Sequence, residues 1–273
     1  MTEKKKNFII AIPGRLESTR LPNKLLLEIE GKSIITRVFE NCLKVFDRKQ
    51  IVFCTDSEKL SEKASALNIQ SIITKKECQS GSERIASISR QLIKKANYLK
   101  SNEDFIDEKI IKNTLIINVQ GDQPFINPFI LKKMIDFCFS KKSIPLLTTP
   151  IYKLENNGIH NPNVVKTLLN NKKQAIYFSR SAIPHVRGVE KKDWHKHHSY
   201  YGHVGIYGYR ADILLKWFDL EVSSLEKCEK LEQLRFIDNG YIYETFFTKE
   251  NNHISIDTQE QFFEAIERIN KTN

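Results

Sequence analysis

Cationic and hydroxyl side chains are concentrated between Gly14 and Lys24, directly after an apolar run that starts at Phe8. The run FIIAIP carries no hydrogen-bonding side chain, which is typical of a strand buried on both faces. The loop then supplies three cations and two hydroxyls, which are Arg15, Ser18, Thr19, Arg20 and Lys24. Ligands of open α/β sheets lie just outside the carboxyl ends of the strands. Position and charge therefore predict a strongly anionic ligand here, such as a triphosphate.

A solvated basic turn is the alternative interpretation of this loop, because lysine and arginine are common on protein surfaces. Neither the dinucleotide pattern GxGxxG nor the P-loop pattern GxxxxGKS/T occurs in the chain. The location of the loop, directly after the first buried strand, favours the ligand interpretation.

A carboxylate follows a second buried run. The run Leu115–Gln120 leads into Gly121 and Asp122. A carboxylate at the end of a strand is well placed to hold a divalent ion, since Mg²⁺ commonly takes one or two carboxylates together with substrate phosphates. The alternative is a turn aspartate that bonds its own backbone.

A further loop, QSGSER at residues 79–84, combines a glycine with the start of a helix. Ser80 and Glu83 form a capping-box pattern ahead of the apolar residues Ile85, Ile88 and Leu92. The first turn of such a helix would present backbone N–H groups to a ligand. An ordinary helix start without a ligand is the alternative.

Alternating strands and helices are predicted to carry these loops. Strands are predicted at 51–55, 71–74, 115–120, 146–151, 203–210 and 253–256, and helices at 33–46, 57–67, 129–138, 223–238 and after Thr258. Strand–helix–strand alternation predicts a mainly parallel, twisted sheet flanked by helices. We therefore expect a single α/β domain over residues 7–273, with residues 1–6 disordered.

Composition narrows the class of protein. The chain has 273 residues and a net charge of +10, and its basic residues are scattered rather than grouped, so nucleic-acid binding is not expected. Its five cysteines have no CxxC spacing, which indicates reduced thiols and a cytoplasmic protein. No apolar run approaches the ~20 residues of a membrane span. The histidine-rich tract 191–198 is expected to be a solvated loop.

The loop Arg15–Lys24 resembles the signature IPARxxSTRLPxK of the sugar cytidylyltransferases, with Gly14 in place of alanine. Within that group it most resembles the family that makes CMP-Kdo, the activated form of 3-deoxy-manno-octulosonate (Kdo), for lipopolysaccharide. The other matching segments are QSGSER (QSGTER in the family), NVQGDQP (NVQGDEP), NPNVVK (NPNxVK), AIYFSR (ALYFSR), HVGIYGYR (HLGIYGYR), LEQLR (identical) and Asp257-Thr258 (within VDTPED). The resemblance covers nearly the whole chain.

The resemblance implies a Rossmann-like nucleotide-diphospho-sugar transferase fold, with a nucleotide-binding half (7–150) and a half for sugar binding and dimer contact (151–250). The implied activity is transfer of CMP from CTP to the anomeric hydroxyl of Kdo, with Mg²⁺ as cofactor and a homodimer as the assembly. Arg180 would meet the carboxylate of the 2-keto-3-deoxy sugar acid. Lys166 is left open between a structural and a ligand-facing role.

Site residues follow from the same resemblance. The implied catalytic residues are Arg15, Lys24, Asp122 and Asp257, of which Asp122 and Asp257 are also the implied metal ligands. The implied nucleotide-binding residues are Gly14, Arg15, Ser18, Thr19, Arg20, Lys24, Gln79, Ser80, Gly81, Ser82, Arg84 and Gln120. The implied sugar-binding residues are Gln123, Arg180, His203, Tyr207, Glu232 and Gln233.

Two alternatives stay open at this point. The first is a cytidylyltransferase for a related acid, such as 8-amino-Kdo or a sialic-type sugar. The second is a non-catalytic basic protein that binds nucleic acid, which would show salt-sensitive binding and no release of pyrophosphate.

Overall fold

The computed structural model describes residues 6–100, 102, 105–249 and 255–270. The predicted disorder of residues 1–6 falls, except for Lys6, outside the described residues. The predicted strand 253–256 lies partly outside them, and its described part is not in a strand.

The described part of the chain contains strands from Asn7 to Phe247. They are β1 (Asn7–Gly14), β2 (Glu28–Ile29), β3 (Lys32–Ser33), β4 (Ile51–Thr55), β5 (Gln70–Ile73), β6 (Thr114–Val119), β7 (Leu147–Lys153), β8 (Lys166–Leu169), β9 (Ala175–Ser179), β10 (Tyr201–His203), β11 (Ile206–Arg210) and β12 (Glu244–Phe247).

Helices separate most of these strands. They are α1 (Ile34–Leu43), α2 (Glu58–Ser65), α3 (Gly81–Ser87), α4 (Ser89–Ala96), α5 (Glu108–Lys112), α6 (Pro128–Ser140), α7 (Asn156–Ile159), α8 (Trp194–His197), α9 (Ala211–Leu215), α10 (Ser224–Glu229), α11 (Leu234–Asp238) and α12 (Gln259–Asn270). None of the helices in the described part of the chain has the length and apolar character that crossing a bilayer requires.

One sheet runs through the molecule. Within the described residues it has ten strands, in the order β5-β4-β1-β6-β11-β7-β10-β8-β9, and β12 pairs with β7. Strands β5, β4, β1 and β6 are parallel to one another, and β12 is parallel to β7. The pairings of β6 with β11, β11 with β7, β7 with β10, β10 with β8 and β8 with β9 are antiparallel. The predicted α/β fold class is confirmed, with most of the parallel pairing among the strands of residues 7–119.

Helices cover both faces of the sheet because β1 is apolar on both. Ile10 and Ile12 pack in one core with α1, α6 and α12, and Ile9 and Ala11 pack in the other core with α3, α4 and α9. This alternation follows from the two-residue period of a strand. Burial on both faces fixes β1 firmly, so the loop that leaves it starts from a rigid position.

The prediction of one helix over 223–238 was wrong, because the chain forms α10 and α11 with a break between them. Lys230 has a left-handed backbone, with φ of 53°. The apolar residues that predicted the helix recur every three residues, and such a stripe winds around a helix of 3.6 residues per turn instead of facing one core.

The predicted strand 203–210 is also divided, into β10 and β11, at Val204 and Gly205. Both strands pair antiparallel with the same edge of β7, because Thr148 and Ile151 also pair with β12 on the other edge. The break therefore marks an irregularity in one run of chain along β7, with four residues between His203 and Gly208 facing two between Thr148 and Ile151. In the histidine-rich tract, Trp194 is buried, while His195, His197 and His198 are exposed.

Candidate active site

A cavity of about 210 Å³ opens where the parallel neighbours β1 and β6 end. Its walls come from four separate stretches of the chain: Pro13–Arg15, Lys24–Leu25, Cys78–Gly81 with Arg84, and Gln120–Asp122, together with Asp257. Gly121 permits this convergence, because a Cβ there would lie 2.8 Å from the carbonyl oxygen of Pro13. The cavity lies at the ligand position that the strand order predicts.

Lys24 joins the two implied metal ligands. Its Nζ lies 2.5 Å from Asp122 Oδ2 and 2.8 Å from Asp257 Oδ1. Arg20 Nη2 lies 3.2 Å from the same oxygen of Asp257. Residues far apart in sequence therefore bring two carboxylates and the ammonium of Lys24 to one wall of the cavity, and Arg20 contacts this cluster through Asp257.

Local structure fixes the positions of Lys24, Asp122 and Asp257. Leu21 and Leu25 are buried on either side of Lys24 and anchor its turn in the core. The backbone N–H of Ile256 donates to the carbonyl oxygen of Asp122 at 3.0 Å, which places Asp257 beside it.

The charged groups of this cluster shift one another's pKa values. Burial opposes the charged form of Lys24, but Asp122 and Asp257 outweigh it and raise the pKa of the ammonium. Burial also opposes ionisation of Asp257, yet Lys24 and Arg20 together lower the pKa of that carboxyl. Both groups are therefore charged at neutral pH.

Asp122 and Asp257 alone would supply only part of the ligand shell of a Mg²⁺ ion. Asp122 Oδ1 is buried without a hydrogen-bond partner, and Lys24 already shows that one cation can contact both carboxylates. Among the described residues there is no group of three or more histidine, cysteine or acidic side chains suited to a metal. Two carboxylates are nevertheless enough for Mg²⁺ when phosphates and water complete its shell.

Asp56 is a site residue that the sequence interpretation missed. Its Oδ1 accepts from the backbone N–H of Leu16 at 3.1 Å, and its Oδ2 accepts from Arg84 Nη2 at 2.9 Å. Arg84 is almost fully buried and also donates to Thr74 and Lys75. The guanidinium of Arg84 thus holds Asp56, and Asp56 in turn holds the loop between Gly14 and Lys24 at Leu16. A carboxylate directly after the buried strand β4 was the available signal, since the same pattern pointed to Asp122.

The loop 79–84 is a helix start, as predicted. Ser80 caps α3 by accepting from the N–H of Glu83 at 3.1 Å, and Gly81 and Gln120 line the cavity with Gln79. Ser82 does not line the cavity. It is fully buried, and its hydroxyl lies 2.7 Å from the hydroxyl of Tyr209.

Some of the remaining predicted nucleotide-binding residues line the cavity and others lie outside it. Gly14 and Arg15 line the cavity. Ser18 and Thr19 lie farther along the loop, outside the cavity wall, and Arg20 reaches the site through Asp257.

The predicted sugar-binding residues form a second cluster, outside the cavity wall. His203 Nε2 and the hydroxyl of Tyr207 are 2.7 Å apart, and the His203 ring packs edge-on against Phe178, two residues before Arg180. Burial, and then the charge of Glu232, raises the pKa of Tyr207, whereas Arg180 opposes the shift.

The rest of that cluster lies beside it. Gln233 is 2% exposed and Gln123 6% exposed, and each has one buried polar atom without a partner. Glu232 joins the two clusters, because its Oε2 accepts from the backbone N–H of Ser82 at 3.1 Å. Glu232 and Gln233 both lie in the turn between α10 and α11 rather than on a helix.

Comparison with known proteins gives matches along almost the whole chain. The family model described as cytidylyltransferase matches residues 9–250. A protein of Francisella tularensis subsp. novicida is 37% identical over 236 residues, which are 86% of this chain and 87% of the relative. One of Parabacteroides distasonis is 35% identical over 263 residues, which are 95% and 96% of the two chains. Both are named 3-deoxy-manno-octulosonate cytidylyltransferase.

A solved structure of CMP:2-keto-3-deoxy-manno-octonic acid synthetase complexed with CTP is also similar, with a TM-score of 0.81 and 28% identity over 97% of this chain and 99% of that one. Fold and site together define the class of the protein, which is a nucleotidyltransferase. With the family match added, the chain belongs to the cytidylyltransferase family, in its 3-deoxy-manno-octulosonate group. The resemblance inferred from the motifs is confirmed.

Proposed function

We propose that this protein transfers CMP from CTP to the anomeric hydroxyl of Kdo, giving CMP-Kdo for lipopolysaccharide and releasing pyrophosphate. The observation that carries the proposal is the convergence of Lys24, Asp122 and Asp257 in one cavity at the end of β1. The relatives named for this reaction support the same sugar acid.

The triphosphate lies over the loop between Gly14 and Lys24. Arg15 lines the cavity and Lys24 stands at its wall, so both can meet phosphate oxygens. Their positive charges offset the charge that develops as pyrophosphate leaves. Gln79, Ser80 and Gly81 border the other side, where we place the cytosine ring. Arg84 is part of this wall, and Ser82 supports it from inside the protein.

Asp122 and Asp257 are the residues that would hold Mg²⁺. Bound there, the ion would supply Lewis-acid stabilisation of phosphate charge. The unpartnered Oδ1 of Asp122 supports this assignment, because a buried oxygen without a donor is costly unless a ligand satisfies it.

The reaction itself is an in-line displacement at the α-phosphorus. The anomeric oxygen of the sugar forms the new bond to phosphorus, the bond to the bridging oxygen of pyrophosphate breaks, and the hydroxyl proton goes to solvent. The chain positions both reactants, and positioning is a large part of catalysis in phosphoryl transfer.

The sugar acid lies beside the nucleotide, against the second cluster. Arg180 faces its carboxylate, because the planar guanidinium can bind both oxygens at once. His203, Tyr207, Glu232, Gln233 and Gln123 contact its hydroxyls. The unpartnered polar atoms of Gln123 and Gln233 support this placement.

The assembly and location are part of the proposal. Residues 7–150 serve the nucleotide, and residues 151–250 serve the sugar and a homodimer contact within one domain. Five cysteines without a disulfide, together with CTP as substrate, support a cytoplasmic enzyme.

Release of pyrophosphate tests the function. The wild-type protein is incubated with Mg²⁺, one of the four nucleoside triphosphates and one of Kdo, 8-amino-Kdo or a sialic acid. We expect release with CTP and Kdo, and its loss when EDTA is added. A faster rate with another sugar acid would change the assigned substrate. Absence of release with every pair would overturn the enzymatic function.

A further inference from the structure

Arg180 is held by backbone carbonyl groups on two sides. Its Nε donates to the carbonyl oxygen of Glu229 at 2.9 Å, and its Nη1 donates to that of Pro162 at 3.3 Å. These bonds use two of the five N–H donors of a guanidinium, so three remain. The free donors include an adjacent pair on the two terminal nitrogens, which is what a carboxylate needs for two parallel bonds.

Glu229 also holds the backbone from which Arg180 extends. Its Oε2 accepts from the N–H of Arg180 at 2.9 Å, and its Oε1 accepts from the hydroxyl of Ser179 at 2.5 Å. The left-handed Lys230 follows directly and ends α10 at this point. Glu229 thus binds Arg180 through both its side chain and its carbonyl oxygen.

Lys166 holds the opposite side. It is fully buried, and its Nζ donates to the carbonyl oxygens of Asn161 at 2.8 Å, Val164 at 2.5 Å and Arg180 at 2.5 Å. The first two lie in the turn that contains Pro162, so this ammonium orders the acceptor of Arg180 Nη1. Its three N–H groups meet three acceptors, and none of these is a carboxylate.

We propose that Glu229 and Lys166 are positioning residues that set the orientation in which Arg180 binds the carboxylate of the sugar acid. The proposal rests on the proposed function, because it assumes that Arg180 meets that carboxylate. A buried ammonium without a carboxylate partner is expensive to keep, and an apolar residue of similar size would spare the cost. We infer that the buried ammonium of Lys166 is retained, despite this cost in stability, because it orients Arg180.

The test separates the two substrates. Glu229→Gln leaves either Ser179 or Arg180 without its acceptor, and Lys166→Met removes all three donors. We expect KM for Kdo to rise about tenfold in either variant, because a hydrogen bond to a charged group is lost. KM for CTP should change by less than about twofold, since Lys166, Arg180 and Glu229 do not line the cavity where we place CTP. Arg180→Lys gives the effect of losing the planar fork itself.

Glu226→Gln is the matched control. Glu226 lies on the same helix and accepts two bonds from Arg235, at 2.8 and 2.9 Å, so the change disturbs a comparable pair away from Arg180. It should lower the urea midpoint of unfolding while leaving both KM values unchanged. If Lys166→Met does not fold, Glu229→Gln and this control still decide the matter.

Two failures are distinguishable. A wild-type enzyme that releases pyrophosphate with Kdo, alongside a Glu229→Gln variant whose KM for Kdo is unchanged, would overturn the positioning role alone. A wild-type protein that is inactive with Kdo would overturn the proposed function and the positioning role with it.

Discussion

The ammonium group of Lys24 lies 2.8 Å from a carboxylate oxygen of Asp257, although 233 residues separate them in sequence. The same nitrogen lies 2.5 Å from Asp122. The single positive charge of Lys24 therefore offsets the repulsion between two neighbouring carboxylates. A metal ion that uses the same oxygens must compete with it, and the triphosphate offers Lys24 another anionic partner.

Replacing Lys24 should therefore change metal binding and catalysis in opposite directions. In Lys24→Met we expect the affinity for Mn²⁺, measured by electron paramagnetic resonance without nucleotide, to rise about tenfold, since a competing cation is gone. Turnover with CTP should fall at least about 10²-fold, on the scale of losing one electrostatic stabiliser. Lys32→Met, which breaks an exposed pair with Glu40, is the control. Weaker Mn²⁺ binding in Lys24→Met would contradict the competition.

Asp56 should act on CTP through the loop backbone at Leu16. Asp56→Asn leaves the buried Arg84 without its carboxylate, so we expect a loss of about 3–5 kcal/mol in the free energy of unfolding. At a temperature where the variant is folded, KM for CTP should rise more than KM for Kdo. Asp136→Asn removes an exposed pair with Lys6 and should cost less than about 1 kcal/mol. Equal rises in both KM values would argue against a specific effect on the loop.

Gly14 and Phe53 should depend on each other. A Cβ at Gly14 would lie 2.7 Å from the Phe53 ring and 2.8 Å from Leu25. Gly14→Ala should therefore destabilise the protein by about 1–3 kcal/mol through overpacking. Phe53→Leu in the same chain should relieve part of that cost, which a double-mutant cycle in urea measures. Additive losses would show that the two positions are not coupled.

Lys166 should make stability depend on alkaline pH. Burial, and then the neighbouring charge of Arg180, lowers its pKa from 10.5 to about 8, while Glu229 opposes the shift. Between about pH 8 and 10.5 the unfolded chain keeps a proton that the folded protein has lost, so folding gains free energy as pH rises. The unfolding free energy of wild type relative to Lys166→Met should thus increase over this window. Parallel pH profiles of the two proteins would be inconsistent with the lowered pKa.

Local patterns predicted the elements that present the cavity. The apolar run 51–55 forms a strand with the predicted limits, and Ser33 caps α1, because both signals lie within a few residues. Loops that follow buried parallel strands must meet at one edge of the sheet. The placement of Asp122 near Lys24 followed from that rule together with the family motifs.

Contacts between distant segments could not be predicted from local patterns. The break between α10 and α11 follows Glu229, which accepts hydrogen bonds from Ser179 and Arg180, some fifty positions away. The hydroxyl of Ser82 points into the protein, where it forms a hydrogen bond with the hydroxyl of Tyr209. Only the assembled sheet brings such partners together.

Turnover of Asp122→Asn, Asp257→Asn and the double variant, measured as pyrophosphate release from CTP and Kdo at saturating Mg²⁺, tests most directly whether both carboxylates serve one reaction. We expect each single change to cost at least about 10²-fold and the double variant to be little worse than either, since groups that act as a unit are not additive. Near-normal Mg²⁺-dependent turnover in either single variant would contradict the shared site.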